Sequence, residues 1–177
     1  MLSGLMSLKH TPVAPIDPGP LPSLAATANG VRAVWGTSFP IGNLIYTMRV
    51  EAVELEEYGL EYFYDELGLP RPSDGAGLLF KFDNSENELE EGAAYRRLPR
   101  DKMLSMKEFL ELERFLVGGV LRYMEDKGPP MIVGVPNDSK LERWYSHLAT
   151  RVNQPNFCVE MRRTGFHPRR VALVRRR

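Results

Sequence analysis

The sequence has little cysteine and no long apolar run. Its single cysteine, Cys158, cannot form a disulfide within the 177-residue chain. The neighbours Phe157 and Val159 are typical of a strand, which favours a buried structural thiol over a nucleophile. No stretch approaches the roughly 18 apolar residues that a membrane-spanning helix needs, and the first residues lack the pattern of a signal peptide. These absences predict an intracellular, cytoplasmic protein that does not enter a membrane.

Metal ligands are also scarce. The three histidines, His10, His147 and His167, are scattered, and no His or Cys pair has the spacing of a metal site. We therefore expect no bound metal ion. The hydrophobic share of 43% is ordinary for a globular protein and is sufficient for one core.

The net charge is zero, but charge is sorted along the chain. Lys and Arg number 23, as do Asp and Glu. Residues 51–91 hold thirteen acidic and two basic residues, whereas 92–177 hold eighteen basic and nine acidic residues. This distribution excludes a uniformly basic nucleic-acid binder of the histone kind. The arginines near the carboxyl end lack interleaved exposed aromatic residues, so a nucleic acid is not an expected partner.

The amino-terminal region is rich in proline. Five prolines fall between Pro12 and Pro22, and this density prevents a helix or a central strand while favouring an extended chain. We predict an extended Pro-rich arm at 1–29, followed by a single domain at 30–177.

The amino half of this domain has the composition of strands with one short helix. A stretch of acidic residues, 83–91, contains too little apolar material to form core and is predicted to be a solvated loop. The other predicted elements are strands at 31–36, 44–55 and 78–82, a turn at 38–43 and a helix at 56–67.

The carboxyl half has a clear order of helix, buried strand, helix, strand, strand. Ser105 and Glu108 form a capping box before a long apolar repeat that ends at Gly128. The continuous apolar run 131–135 indicates a strand that is covered on both faces. A second helix carries Leu141, Trp144, Tyr145 and Leu148 on one face, and strands follow at 157–161 and 170–174.

This order, together with the sequence VGVPNDSKLERWYSHL at 133–148, resembles the carboxyl half of the GCN5-related N-acetyltransferase (GNAT) fold. In that family a central strand splays from its neighbour, an asparagine follows the strand, and a helix presents a tyrosine eight residues later. The resemblance covers roughly 93–177. It implies an α/β (α+β) fold, in which a single GNAT-like domain has a mixed central sheet flanked by helices.

The resemblance also implies an activity, which is acyl transfer from acetyl-CoA or another acyl-CoA to an amine. Tyr145 would then protonate the departing CoA thiolate as the catalytic acid, and Asn137 would bind the pantetheine arm. The family holds the pyrophosphate on a glycine-containing loop before the long helix. The matching stretch 96–105 contains no glycine, and its bases are the candidates for holding the phosphates: Arg96, Arg97, Arg100 and Lys102.

Simpler interpretations of the same residues remain open. Tyr145 also fits a core aromatic beside Trp144, an interpretation that the missing glycine loop favours, and Asn137 fits an ordinary helix cap. The alternative function is that of a non-catalytic GNAT-fold protein, such as a phage virion or assembly component or an inhibitor of a host protein. It would bind a protein partner, or further copies of itself, through the arm 1–29 and the segments of opposite charge.

Overall fold

The described part of the chain contains six strands and three α-helices. The computed structural model describes residues 32–84, 103–136, 139–152, 154–162 and 170–176. The elements in chain order are β1 (Arg32–Ile41), β2 (Leu44–Glu54), α1 (Leu60–Glu66), β3 (Ala76–Asn84), α2 (Met106–Lys127), β4 (Met131–Gly134), α3 (Ser139–Arg151), β5 (Phe157–Arg162) and β6 (Arg170–Arg175).

The strands form one mixed sheet in the order β1-β2-β3-β4-β6-β5. Strands β2 and β3 pair antiparallel over nine residue pairs, and β4 and β6 over four. The contact between β3 and β4 is parallel and has only two pairs, Leu79 with Val133 and Phe80 with Gly134. Two antiparallel halves are thus joined by a short parallel contact. The predicted mixed sheet flanked by helices is confirmed.

Alternation along the strands sends apolar side chains to both faces of the sheet. Phe80 and Ile132 pack with α2 and α3 on one face, called here the α2/α3 face. Leu79 and Val133 pack with α1 on the opposite face, called the α1 face. All four residues of β4 are buried, as the uninterrupted apolar run predicts.

Two sequence predictions in the amino half are corrected. The predicted turn at 38–43 is shorter, because β1 continues to Ile41 and only Gly42 and Asn43 make the turn. Pro40 is tolerated because β1 is an edge strand, so its missing N–H leaves no ladder bond broken. Asp83 and Asn84 are not solvated loop residues: both are buried at the end of β3, where they pair with β2.

Most other elements lie close to their predicted positions. The helix predicted at 56–67 is shorter, since α1 covers Leu60–Glu66 after a 3-10 turn at Glu57–Gly59. Cys158 is partly rather than fully buried in β5. The arm at 1–29 and the rest of the acidic segment, 85–91, lie outside the described residues.

Helix α2 begins as the sequence predicts. Ser105 accepts a hydrogen bond from Glu108 N at 3.3 Å, and Ser105 N donates to Glu108 Oε2 at 2.7 Å. Gly128, with a positive φ of 70°, ends the helix. The reciprocal bonds satisfy two of the N–H groups that a helix start leaves without partners.

A buried carboxylate on α2 contacts two side chains of α3. Glu113 is only 4% exposed, and its Oε1 lies 3.0 Å from His147 Nε2. That oxygen makes no hydrogen bond of good geometry. Arg151 Nε lies 3.9 Å from Glu113 Oε2. These two contacts link α2 to α3, the helix that carries Tyr145.

Adjacent glycines in α2 have different surroundings and should respond differently to alanine. A Cβ at Gly118 meets no atom within 4 Å, whereas one at Gly119 would overlap the end of Met48, whose Sδ would be 2.9 Å away. We expect Gly118→Ala to stabilise the protein by about 0.5–1 kcal/mol through helix propensity. Gly119→Ala should instead destabilise it by about 1 kcal/mol, since the buried Met48 must move. Urea denaturation of both variants tests this; equal stabilisation would show that α2 does not approach β2 as described.

Candidate functional site

The candidate site is the place where β3 and β4 separate, called here the β3/β4 junction. Pairing ends at Phe80 and Gly134, yet β3 continues to Asn84. In sheets with parallel strands, ligands bind in the crevice beyond the carboxyl ends of those strands. The junction supplies such a crevice with one apolar side and one charged side.

An apolar cavity of about 80 Å³ lies on the α2/α3 face of the junction. It is open to the surface between the two helices and the sheet. Its lining contains no charged side chain and consists of Phe80, Leu116, Val117, Val120, Ile132, Gly134, Tyr145, Leu148, Ala149, Val152, Val159, Val171 and Leu173.

Tyr145, the predicted catalytic residue, forms part of this cavity wall. Its side chain is 6% exposed and packs with the rings of Phe80 and Phe82 at centroid distances of 6.4 and 6.3 Å. A Cβ at Gly134 would lie 3.1 Å from Tyr145 Cε2, so the absence of a side chain at 134 makes room for the ring. The packing places the residue at the junction, and its role as an acid stays a prediction.

Trp144 closes the neighbouring part of the junction and was not predicted as a site residue. Its ring lies 4.9 Å from that of Phe82 and 5.8 Å from that of Phe109, at the start of α2. Its Nε1 is buried without a hydrogen-bond acceptor. A buried N–H donor without an acceptor is unusual.

The start of α2 borders the same region. The hydrogen bond with Ser105 holds the pKa of Glu108 below its usual range, so this carboxylate is charged at neutral pH. The predicted cofactor-binding residues Asn137, Arg96, Arg97, Arg100 and Lys102 lie outside the described residues, and their roles stay predictions.

Tyr46 interacts electrostatically with Glu108 at the start of α2 and with Asp83 in β3. Burial, followed by the negative charges of Asp83 and Glu108, raises the pKa of Tyr46 to about 12. Its phenol is therefore neutral at physiological pH and serves as a structural ring in the core rather than as a base.

The α1 face of the junction is charged. Buried Glu51 pairs with Arg49 at 3.1 Å and with Lys81 at 2.6 Å. Lys81 Nζ also lies 5.8 Å from the centre of the Tyr58 ring. Tyr58 has a positive φ of 58°, a conformation that is uncommon for a residue other than glycine. The 3-10 turn before α1 thus lies over the charged end of β3.

Arg170 is a buried cation on the α1 face and is 4% exposed. In the sequence it is one of several arginines near the carboxyl end. The alternation of β6 carries the missed signal, because Arg170 shares its face with the buried residues Ala172 and Val174.

Comparisons with known proteins assign no family to this arrangement. No family model, curated protein or solved structure matches the chain. Across the described ranges, no three His, Cys, Asp or Glu side chains come together as a metal site. No helix in the same ranges combines the length and apolar character required to cross a membrane.

The capping box should make stability depend on acid pH. Because the folded-state pKa of Glu108 is lowered from 4.5, its contribution is complete above the unfolded-state pKa and is lost as pH falls through the folded value. Glu108→Gln should therefore lower the melting temperature at neutral pH, and its difference from wild type should shrink as the pH is lowered to about 3. Glu111→Gln, at an exposed position of the same helix, is the control. A Glu108→Gln difference that is constant with pH would contradict the assignment.

Proposed function

We propose that the protein is a GNAT-like N-acyltransferase that binds an acyl-CoA at the β3/β4 junction and acylates an amine. One observation carries the proposal: parallel strands β3 and β4 separate after two residue pairs, and Tyr145 lines the apolar cavity beside the gap. A splayed central strand and a helical tyrosine are the features on which the resemblance to the GNAT family rests.

The element order supports the same proposal. Helix α2, the buried strand β4, helix α3 and the antiparallel pair of β5 and β6 follow one another as the resemblance requires. The helix start fits the cofactor less well. The N–H groups of Ser105 and Glu108 are already engaged, which leaves those of Met106 and Lys107 in the first turn for a phosphate.

The size of the cavity favours a small acyl group. A volume of about 80 Å³ is about half that of an engineered apolar cavity of about 150 Å³ that holds benzene. This is enough for an acetyl group or another acyl group of a few carbons. The apolar lining suits the alkyl part of such a group, since burying it is favourable.

In this proposal the chain's own residues orient the acyl group and supply a proton. Acyl-CoA, when bound, provides a thioester whose carbonyl carbon is open to attack by the amine. The cavity wall would hold the acyl chain away from water. As the amine nitrogen bonds to the carbonyl carbon and the C–S bond breaks, Tyr145 would donate its phenol proton to the sulfur. The proton that the nitrogen loses would restore the phenol.

A second candidate function is favoured by the capping box. The charged Glu108 carboxylate occupies the start of α2, where it would repel a pyrophosphate, and the preceding segment lacks glycine. A non-catalytic protein that keeps the fold as a scaffold would show these features. In that case a protein partner, or another copy of the chain in an assembly, would be bound through the arm and the charged segments.

Acetyl-CoA binding separates these candidates. The full chain should melt at a higher temperature with millimolar acetyl-CoA, because a ligand that binds only the folded state stabilises it by mass action. Tyr145→Phe should keep this shift and lose most of its turnover, by about 10²-fold or more, since it keeps the ring and removes the acid. Tyr62→Phe, which changes an exposed tyrosine, is the control and should keep full turnover.

Two results would count against the enzyme. Absence of any shift with acetyl-CoA would leave the scaffold candidate. Unchanged turnover in Tyr145→Phe, measured with free CoA release as the readout, would show that this tyrosine is only a core residue.

A further inference from the structure

Arg170 is a buried cation near the junction that makes no described ion pair. It is the first residue of β6 and lies opposite Arg162 of β5. Arg162 is 42% exposed in its side chain and pairs with Glu160 at 3.0 Å. Arg170 is 4% exposed, and its Nε and Nη1 atoms have no hydrogen-bond partner.

The residues around the guanidinium bury it but provide no counter-charge. A Cβ at Gly59 would lie 2.9 Å from Arg170 Nη1 and 3.3 Å from the Tyr62 ring, so the turn before α1 packs directly on the guanidinium. Desolvation lowers the pKa of Arg170. Burying a charge without a partner is strongly unfavourable, which indicates that the missing anion comes from outside the described residues.

The register places this cation at the β3/β4 junction. Phe80 pairs with Gly134, which pairs in turn with Val171. Phe80, Gly134 and Val171 thus lie side by side across three strands. Arg170 precedes Val171 by one residue and lies level with the part of β3 that continues beyond Phe80 to Lys81. The nearby carboxylate of Glu51 is already held by Arg49 and Lys81. The positive charge of Arg170 is the one on this face left without a described counter-charge.

We infer that Arg170 binds the carboxylate of a small amino-acid-like molecule, entering from the α1 face. The planar guanidinium has two adjacent N–H groups that match a carboxylate. One arginine balances the single negative charge of a carboxylate. A phosphate dianion would bring a second negative charge toward the buried carboxylates of Glu51 and Asp83 on the same face and be repelled. On the proposed function, this molecule is the acceptor, and its amine is the group that is acylated.

The experiment compares lysine with cadaverine, which differ only in the α-carboxylate, as ligands of the full-length protein in thermal melts. Lysine should raise the melting temperature of wild type at millimolar concentration, and cadaverine should not. Arg170→Met should weaken the apparent affinity for lysine by about tenfold or more, the ratio expected when a charge-assisted hydrogen bond is lost. Arg162→Met is the control. It changes the more exposed arginine that lies opposite Arg170 on β5, and it should respond to lysine as wild type does.

A second readout does not depend on the ligand. Because Arg170 is unpaired, Arg170→Met should melt at the same temperature as wild type or higher when no ligand is added. A large decrease would show that the arginine is bound to another part of the chain and would overturn the inference. So would equal shifts with lysine and cadaverine, or a shift with inorganic phosphate alone.

The outcome is separable from that of the proposed function. If acetyl-CoA produces no shift while lysine still acts through Arg170, the acyltransferase fails and the carboxylate site stands. If acetyl-CoA binds but lysine does not, the acyltransferase stands and this acceptor class is wrong.

Discussion

The short parallel contact between β3 and β4 is the constraint on which the rest of the structure depends. Two residue pairs join an antiparallel half formed by β1, β2 and β3 to another formed by β4, β6 and β5. So few ladder bonds cannot hold the halves together, and side-chain packing must do so. Helix α2 supplies much of it, because its apolar face contacts both Met48 from β2 and Ile132 from β4 in one core cluster.

This arrangement leaves a gap between β3 and β4 at the middle of the sheet. Beyond Phe80 and Gly134 the backbone groups of the two strands no longer pair, and aromatic side chains from α3 cover the α2/α3 side. On the α1 side, the turn at Tyr58 and Gly59 covers Lys81 and Arg170. The junction therefore has an apolar side and a charged side.

Local sequence signals were sufficient for elements whose partners are close in sequence or whose pattern is continuous. The capping box of Ser105 and Glu108 predicted the start of α2, and the run 131–135 predicted a strand covered on both faces. Asp83 was assigned to a solvated loop because it begins the acidic stretch 83–91, which contains little apolar material. It is buried because β3 keeps pairing with β2 as far as Tyr46, a long-range constraint that composition does not contain.

The site was predictable only in part. Tyr145 was predicted because its position after a buried strand resembles the GNAT pattern; it lies at the cavity, and its catalytic role stays a prediction. Arg170 was missed because a run of arginines is usually solvated, and its place in β6 beside the buried residues Ala172 and Val174 is visible only once the strand is paired. Trp144 was assigned to the apolar face of a helix from its spacing. The burial of its Nε1 without an acceptor results from packing against Phe82 and Phe109, which belong to other elements and cannot be placed from helical spacing.

Hydrogen exchange measured by mass spectrometry, with and without acetyl-CoA, tests the central claim that the β3/β4 junction is the binding site. The account predicts that added acetyl-CoA slows exchange in peptides covering Phe80–Asn84 and Met131–Pro136, while the hairpin of β1 and β2 is unchanged. Protection confined to other peptides, or none at saturating acetyl-CoA, would contradict it.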